Sequence, residues 1–323
     1  MEDVSTVVLV TSSGKKASLI RAMQHAAGRM VPRFTVMAGD SDGCAISQYV
    51  ADAFWQMPQT SEENTETILT GCKERGIRVI LPTRDGELMF WARNRDRFQA
   101  EGITVLISPA ESVSMCVDKL AFAEFCVSRG IPCAATDLDP DKLGPGLYVV
   151  KERYGAGARK IGLGLDRESA LRHAATLTAP VFQHQLHGQE ISIDAWLDGA
   201  HRVHGLVLRR RDVVANGESQ ITSTFRDEAI EGLASAALTK MKLRGPVVLQ
   251  GFLDAQRQLK IIECNARFGG ASTASIAVGL DLLYWSLLEA NSDKCRPPRF
   301  CRFKNEVRQI KVTADIWEYG PRF

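Results

Sequence analysis

In IIECNARFGGAS, residues 261–272, Glu263 and Asn265 stand two apart on an apolar strand and so point to the same face. A carboxylate is costly to bury without a cationic partner, so the stretch asks for one. Gln250 lies on the preceding strand, Val247 to Asp254. A turn at Ala255-Gln256-Arg257 brings it opposite or next to Glu263 on the returning strand, Gln258 to Asn265. A glutamine, a glutamate and an asparagine then share one patch. Such oxygen ligands suit Mg²⁺, completed by waters and phosphate oxygens. Arg267, just beyond the strand, could hold a phosphate by bidentate hydrogen bonds. The same residues at a solvated hairpin end would carry no chemistry, and spacing alone leaves both readings open.

Other residues invite the same question. Lys151 closes the run LYVVK, and the turn YGAGARKIG follows, with Gly155 and Gly157 able to lay backbone N–H groups over phosphates. A plain hairpin turn explains it as well: the spacing is not that of a Walker A loop, and no G-x-G-x-x-G follows the first strand. Glu190, in FQHQLHGQEISID, could accept from ribose hydroxyls or be a surface glutamate. His184 and His187 are too weakly supported for a zinc site. Arg209 and Arg211 share one strand face, which is either a solvated strand end or a site for an anionic group.

These residues need elements to position them. Val7 to Val10 reads as a buried strand, with a helix from Ala17 to Ala27 and a strand from Phe34 to Ala38. A capping box opens a helix at Thr60 that stops at Gly76. Strands Arg78 to Leu81 and Ile103 to Ile107 flank an amphipathic segment, Glu87 to Gln99. This alternation predicts a mainly parallel Rossmann-like sheet in residues 1–110. Ser108-Pro109-Ala110-Glu111 combines a capping box with proline at the first helical position, which sets the first boundary. Residues 111–185 then carry a helix from Asp118 to Arg129, strands Tyr148 to Lys151, Lys160 to Leu163 and Val181 to Gln185, and a helix opened by Asp166. Residues 186–323 carry longer antiparallel strands, with Asp198-Gly199 as a hairpin turn and a helix from Arg226 to Met241.

Composition sets outer limits. Of 323 residues 45% are hydrophobic, enough for two or three packed domains. A net charge of +2 gives no electrostatic case for nucleic acid or an acidic membrane surface. Eight scattered cysteines, without C-x-x-C or metal spacing, read as reduced thiols of a cytoplasmic protein. MEDVSTVVLV is no signal peptide, and no apolar run approaches the ~20 residues of a membrane span.

In this order, the pieces resemble the ATP-grasp superfamily, specifically its carbamoyl-phosphate-synthase-like branch of carboxylate–amine ligases, over nearly the whole chain. VVLVTSSGKKASLIRAM is similar to that branch's pre-ATP-grasp domain, and Asp118-Lys119 to the start of the ATP-grasp module. The Q-x(12)-E-x-N-x-R series after DK, VVK and G-x-E is the specific part. The resemblance implies an α/β and α+β fold, a Rossmann-like pre-ATP-grasp domain followed by a two-lobed module. It implies ATP held by Lys119, Lys151, Gly155 and Gly157, with the purine at His184 and the Leu186 backbone and the ribose on Glu190. It implies Gln250, Glu263 and Asn265 as ligands of two Mg²⁺, with Mn²⁺ as a substitute, and Arg267, Arg209 and Arg211 on the phosphate and substrate side.

The reaction implied is attack of a carboxylate on ATP, giving an acyl phosphate that an amine displaces. Its partners would be small-molecule carboxylates and amines, and a homodimer is compatible with it. A free amino acid or small peptide is the substrate class expected. Three departures stand out: His184 where glutamate is common, Ala266 where proline is usual, and a glycine loop without serine or threonine, where Arg159 and Lys160 could compensate. An ATP-binding regulator with little turnover is the alternative from another class. A nicotinamide dehydrogenase is disfavoured because TSSGKK lacks the glycine spacing.

Overall fold

The computed structural model describes residues 6–155, 157, 160–291, 297–312 and 314–317. β1 (Val7–Val10) is three valines and a leucine, all buried, as expected of a strand covered on both faces. α1 (Ala17–Ala27) follows, its buried stripe formed by Leu19, Ile20, Met23, Ala26 and Ala27. Then come β2 (Thr35–Asp40), β3 (Ala53–Gln56), α2 (Thr65–Glu74), β4 (Ile77–Leu81), α3 (Asp85–Ala100) and β5 (Thr104–Val105). The strands pair in parallel in the order β3-β2-β1-β4-β5. The capping box expected at Thr60 does not form. A 3₁₀ turn, Glu62–Asn64, precedes α2, and the Thr65 hydroxyl donates to the Glu62 carbonyl at 2.8 Å.

α4 (Ala110–Val117) starts after Pro109, but Ser108 does not cap it. Its hydroxyl donates to the Arg244 carbonyl at 3.0 Å and accepts from the Arg244 amide at 2.9 Å, so tertiary contact overrides the local capping signal. α5 (Lys119–Ser128) is capped by Asp118, which accepts from the Leu120 and Ala121 amides and pairs with Arg153. Burial pushes the Asp118 carboxyl up, but Arg153 and the two amides outweigh it and hold the group below the usual carboxylate range.

The next strands are β6 (Thr136–Asp137), β7 (Tyr148–Glu152) and β8 (Gly162–Leu165). α6 (Arg167–Ala174), capped by Asp166 on the Ser169 amide, and β9 (Pro180–His184) complete this part. They form an antiparallel sheet, β6-β9-β7-β8, whose own small core is Tyr148, Val150, Ala170, Ala174 and Phe182.

A third sheet is built from β10 (Gln189–Leu197), β11 (Val203–Ala215) and β12 (Glu218–Phe225). α7 (Glu228–Lys240), β13 (Gly245–Leu253), β14 (Leu259–Asn265), α8 (Thr273–Ile276), α9 (Leu282–Asn291) and β15 (Arg308–Ile310) follow. Its order is β14-β13-β10-β11-β12-β15. One expectation fails here. Asp198-Gly199 is not a two-residue hairpin turn: Leu197 pairs with Val203, and the Asp198 carboxylate collects the Ala200 and Arg202 amides of a longer loop. β12 and β15 have no counterpart in the sequence reading. Two larger cores run through both the parallel sheet and this one. One joins Leu9 and Trp91 to Ile193, Leu249 and Ile261. The other joins Val10 and Met23 to Trp196, Leu283 and Trp285, with α9 lying on α1. Among the described residues no helix is long and apolar enough to cross a membrane.

Candidate functional site

Gln250 stands between Ser192 on β10 and Glu263 on β14. Asn265 Nδ2 donates to Glu263 Oε1 at 3.3 Å, so all three candidate ligands share one face of the sheet. Strand alternation alone does not produce this. Ile261 and Cys264 are three apart, yet both are buried on the opposite face, beside Gly251 and Leu249. Ile262 is an extra residue between the pairs Gly251–Ile261 and Gln250–Glu263. This bulge resets the alternation, so that Glu263 and Asn265 face outward to the site.

The cationic partners come from elsewhere in the chain. Lys119 is the first residue of α5, and Lys151, 8% exposed, lies on β7. Burial lowers the Lys151 ammonium to about 8, the Glu263 charge pulling it back up and Lys119 pushing it further down. Burial also lowers Lys119, opposed by Glu263 and Asp85. Glu263 therefore acts on both desolvated ammonium groups. Lys119 Nζ also donates to the Gly155 carbonyl, which ties it to the glycine loop. A Cβ at Gly155 would stand 2.7 Å from Glu152 Cβ, and Gly157 has φ +70, so both positions require glycine. Ala156, Ala158 and Arg159 lie outside the described residues. Lys160 is described, its carbonyl 2.9 Å from His173 Nε2.

Glu190, on β10, is paired with Phe252 on β13. Arg211 donates to Glu190 and, at 2.9 Å, to Gln250 Oε1, and is held from behind by the Gly217 carbonyl and Ser219 hydroxyl. It thereby links the ribose candidate to the metal candidate. Burial raises the Glu190 carboxyl, and nearby Glu263 adds to this, against Arg211. Phe252, on the same face, supplies an apolar wall that the sequence reading missed, although it sits two residues after Gln250.

Two assignments need correction. The His184 side chain lies on the opposite face of β9 from the one paired with Lys151. Its ring packs on Tyr148, centroids 5.6 Å apart, and Nε2 faces the Gly144 carbonyl at 3.3 Å. Alternation places Val149, Val181 and Gln183 on the Lys151 face instead, so of this segment the backbone is left for a purine. Leu186 fits that part: among the described residues no hydrogen-bond partner occupies its amide.

Arg209 does not reach the site surface either. It is 2% exposed and bonds Asp194 through Nε at 2.6 Å and Nη2 at 2.9 Å, while Ser272 and Ser275 also donate to that carboxylate. It shares the face with Gln250 and Glu263 but is part of the foundation below them. Arg267 is at the site, but its fork is engaged by Asp85 at the start of α3, at 2.7 and 2.6 Å. The sequence reading passed over Asp85, because its only local signal was an acidic residue in a first helical turn.

Among the described residues no group of three or more His, Cys, Asp or Glu side chains is suited to a metal. The donor set here is different: one carboxylate and two amides, a set that would hold Mg²⁺ only together with phosphate oxygens and water. With Lys119 and Lys151 opposite, the residues fit a magnesium-bound polyphosphate better than a free ion.

Residues 8–106 match the family model described as PylC-like, N-terminal domain. Residues 177–313 match the model described as ATP-grasp in the biosynthetic pathway with Ter operon. The chain has the ATP-grasp fold. Similar solved structures include the biotin carboxylase domain of Hydrogenobacter thermophilus 2-oxoglutarate carboxylase, a dimer in complex with MgADP, ADP and bicarbonate. It is 17% identical, covering 94% of this chain and 73% of that one, with a TM-score of 0.76. N5-carboxyaminoimidazole synthetase from Staphylococcus aureus, complexed with ADP, is 15% identical over 95% and 82% of the two chains, TM-score 0.75. The L-amino acid ligase from Bacillus licheniformis is 15% identical over 90% and 74%, TM-score 0.69. Among curated proteins none matches this chain in sequence.

Proposed function

We propose that the protein is an ATP-dependent, ADP-forming ligase that activates a substrate carboxylate as an acyl phosphate and joins it to an amine. The observation that carries this is the meeting of Glu263, flanked by Gln250 and Asn265, with Lys119 from helix α5 and Lys151 from a different sheet. That arrangement neutralises phosphate oxygens from both sides, which is what phosphoryl transfer requires of a protein. Mg²⁺, bound with the nucleotide, would screen the phosphate charge; a pair of ions held by the three oxygen ligands is part of the proposal, with Mn²⁺ able to replace them. Leu186 offers its backbone to the purine, and Glu190 its carboxylate to the ribose, held by Arg211. The glycine loop at Gly155 and Gly157 shields the phosphates from water, and Arg267 stands at the end of the metal strand where the acyl phosphate forms. The dimeric biotin carboxylase domain supports a homodimer as the assembly.

The direct test is a matrix of carboxylates and amines scored for ADP release in the presence of MgATP, with mass spectrometry of the product. Turnover that depends on both substrates is expected. An ATP-binding regulator would bind nucleotide yet release no ADP with any pair.

Lys151 adds a pH signature. Its ammonium is charged below about 8 and neutral above, so affinity for MgADP is expected to fall as pH rises through that value. Lys151→Met should bind MgADP more weakly, and its affinity should lose most of this pH dependence. Titration calorimetry at pH 6.5 to 9 checks both; an unchanged profile in the variant would remove Lys151 from the phosphate site.

A further inference from the structure

The order β3-β2-β1-β4-β5 means that the chain leaves β1 toward one edge and returns through β4 toward the other. The loops after β1 and β4 therefore diverge and open a crevice at the carboxyl ends of the strands, the place where sheets of this kind bind ligands. The first loop brings Ser12 and Lys16 to it, the second Thr83 and Arg84. Lys16 Nζ donates to the Thr83 carbonyl at 2.8 Å and to its hydroxyl at 2.6 Å, which leaves one of an ammonium's donors unused. Arg84 gives Nε to the Ser12 hydroxyl at 3.2 Å and Nη2 to Thr60 at 3.5 Å, so three guanidinium donors remain. Among the described residues neither cation forms an ion pair.

The shape of this crevice is held by a buried acid. Glu87 is fully buried, and its carboxylate accepts from the Thr11 hydroxyl at 2.9 Å, the Ser12 hydroxyl at 3.0 Å, the Thr83 and Arg84 amides at 2.9 and 3.0 Å, and Trp91 Nε1 at 3.2 Å. Both loops are thus fixed on one group, which compensates its desolvation. Ser12 is kept at φ +47, a strained conformation for a residue with a side chain. The guanidinium of Arg84 lies against Gly86: a Cβ there would stand 2.8 Å from Nη1. Such construction preorganises two cations that form no ion pair among the described residues, although the charges of Glu87 and Asp85 act on Lys16. The Asp85–Arg267 pair adjoins them, and the charge of Arg267 acts on Lys16, so this crevice and the phosphate site are neighbours.

We infer that the switch-point crevice binds an anionic group of the small-molecule substrate, a carboxylate or a phosphate, through Lys16 and Arg84, with the Ser12 hydroxyl holding the Arg84 guanidinium in place. This rests on the ligase reading and narrows its substrate class: the molecule carries an acidic group for docking, and a purely apolar amino acid or peptide is a poor match.

The test is calorimetric titration of the full chain with succinate and, separately, inorganic phosphate, with and without saturating MgADP. Arg84→Gln, at an exposed position, should weaken the preferred anion by about tenfold or more, the scale of a lost charge-assisted hydrogen bond. Lys16→Met should do likewise, and MgADP affinity should hold within about twofold in both variants. Preference for succinate identifies a carboxylate, preference for phosphate a phosphorylated substrate. If neither anion binds the wild type, or if Arg84→Gln binds both as the wild type does, the inference is overturned. Failure of the wild type to bind MgADP would instead defeat the ligase reading, and the anion titrations without nucleotide would still report on the crevice.

Discussion

Glu263→Gln is expected to reduce ATP turnover by at least about a thousandfold, roughly 4 kcal/mol of transition-state stabilisation, while leaving the fold intact. Two consequences of the charge loss act together. The metal candidate set would consist of amides alone, too weak for a hard divalent cation without a carboxylate. Lys119 and Lys151 would also lose the charge that opposes their desolvation, and the Lys151 ammonium would titrate below about 8. The fold should be indifferent, because Glu263 sits on the site face and its short-range partner is Asn265, to which a glutamine amide can still bond. ADP release, circular dichroism and melting measured on the same preparation separate the two effects. Turnover near the wild-type rate would remove Glu263 from the reaction, and a lost melting transition would mean that the residue serves the fold.

The largest expected effect on stability lies beneath the site. Arg209→Met should cost about 3–5 kcal/mol, because it leaves the Asp194 carboxylate, 0% exposed, without its cation. Ser272 and Ser275 still donate to that carboxylate but do not neutralise it. Adding Asp194→Asn should recover more than half of the loss, since the amide keeps hydrogen-bonding capacity without the buried charge. Urea unfolding of the wild type, the single variant and the double variant measures this. A single-variant loss below about 1 kcal/mol, the range of exposed pairs, would show that the pair does not hold the sheet to the turn after Arg267.

The sequence revealed most where local and tertiary signals agree. The β13–β14 hairpin and the caps at Asp118 and Asp166 were legible from local turn and capping chemistry, which also brought Gln250 to the neighbourhood of Glu263, whereas their direct pairing depends on the bulge at Ile262. β12 was not, and its composition explains why. In ESQITSTF, Thr222 and Thr224 face the side that holds the Asp194–Arg209 pair, so the strand buries hydroxyls where a hydrophobic alternation would have announced it. Ser108 and Thr60 carried capping signals that distant or local competitors displaced. His184 illustrates a different limit: a motif gives a position in the chain, but the face it presents depends on strand register, and here its neighbour Gln183 has the face that the motif would assign to the histidine. Asp85 was illegible in principle, because its partner lies in a distant segment of the chain.

The β6–β9 sheet has an interior of only a handful of side chains, whereas the other two sheets share their cores. Cooperativity should follow that division. The large shared interior must melt as one unit, but this small sheet has little apolar area of its own to set against its chain entropy, and so can exchange its amides through openings far cheaper than global unfolding. A molecule gripped at once by Lys151 on the small sheet and Glu263 on the large one would join the two thermodynamic units, contributing to the weaker one a stability that its own sequence does not encode.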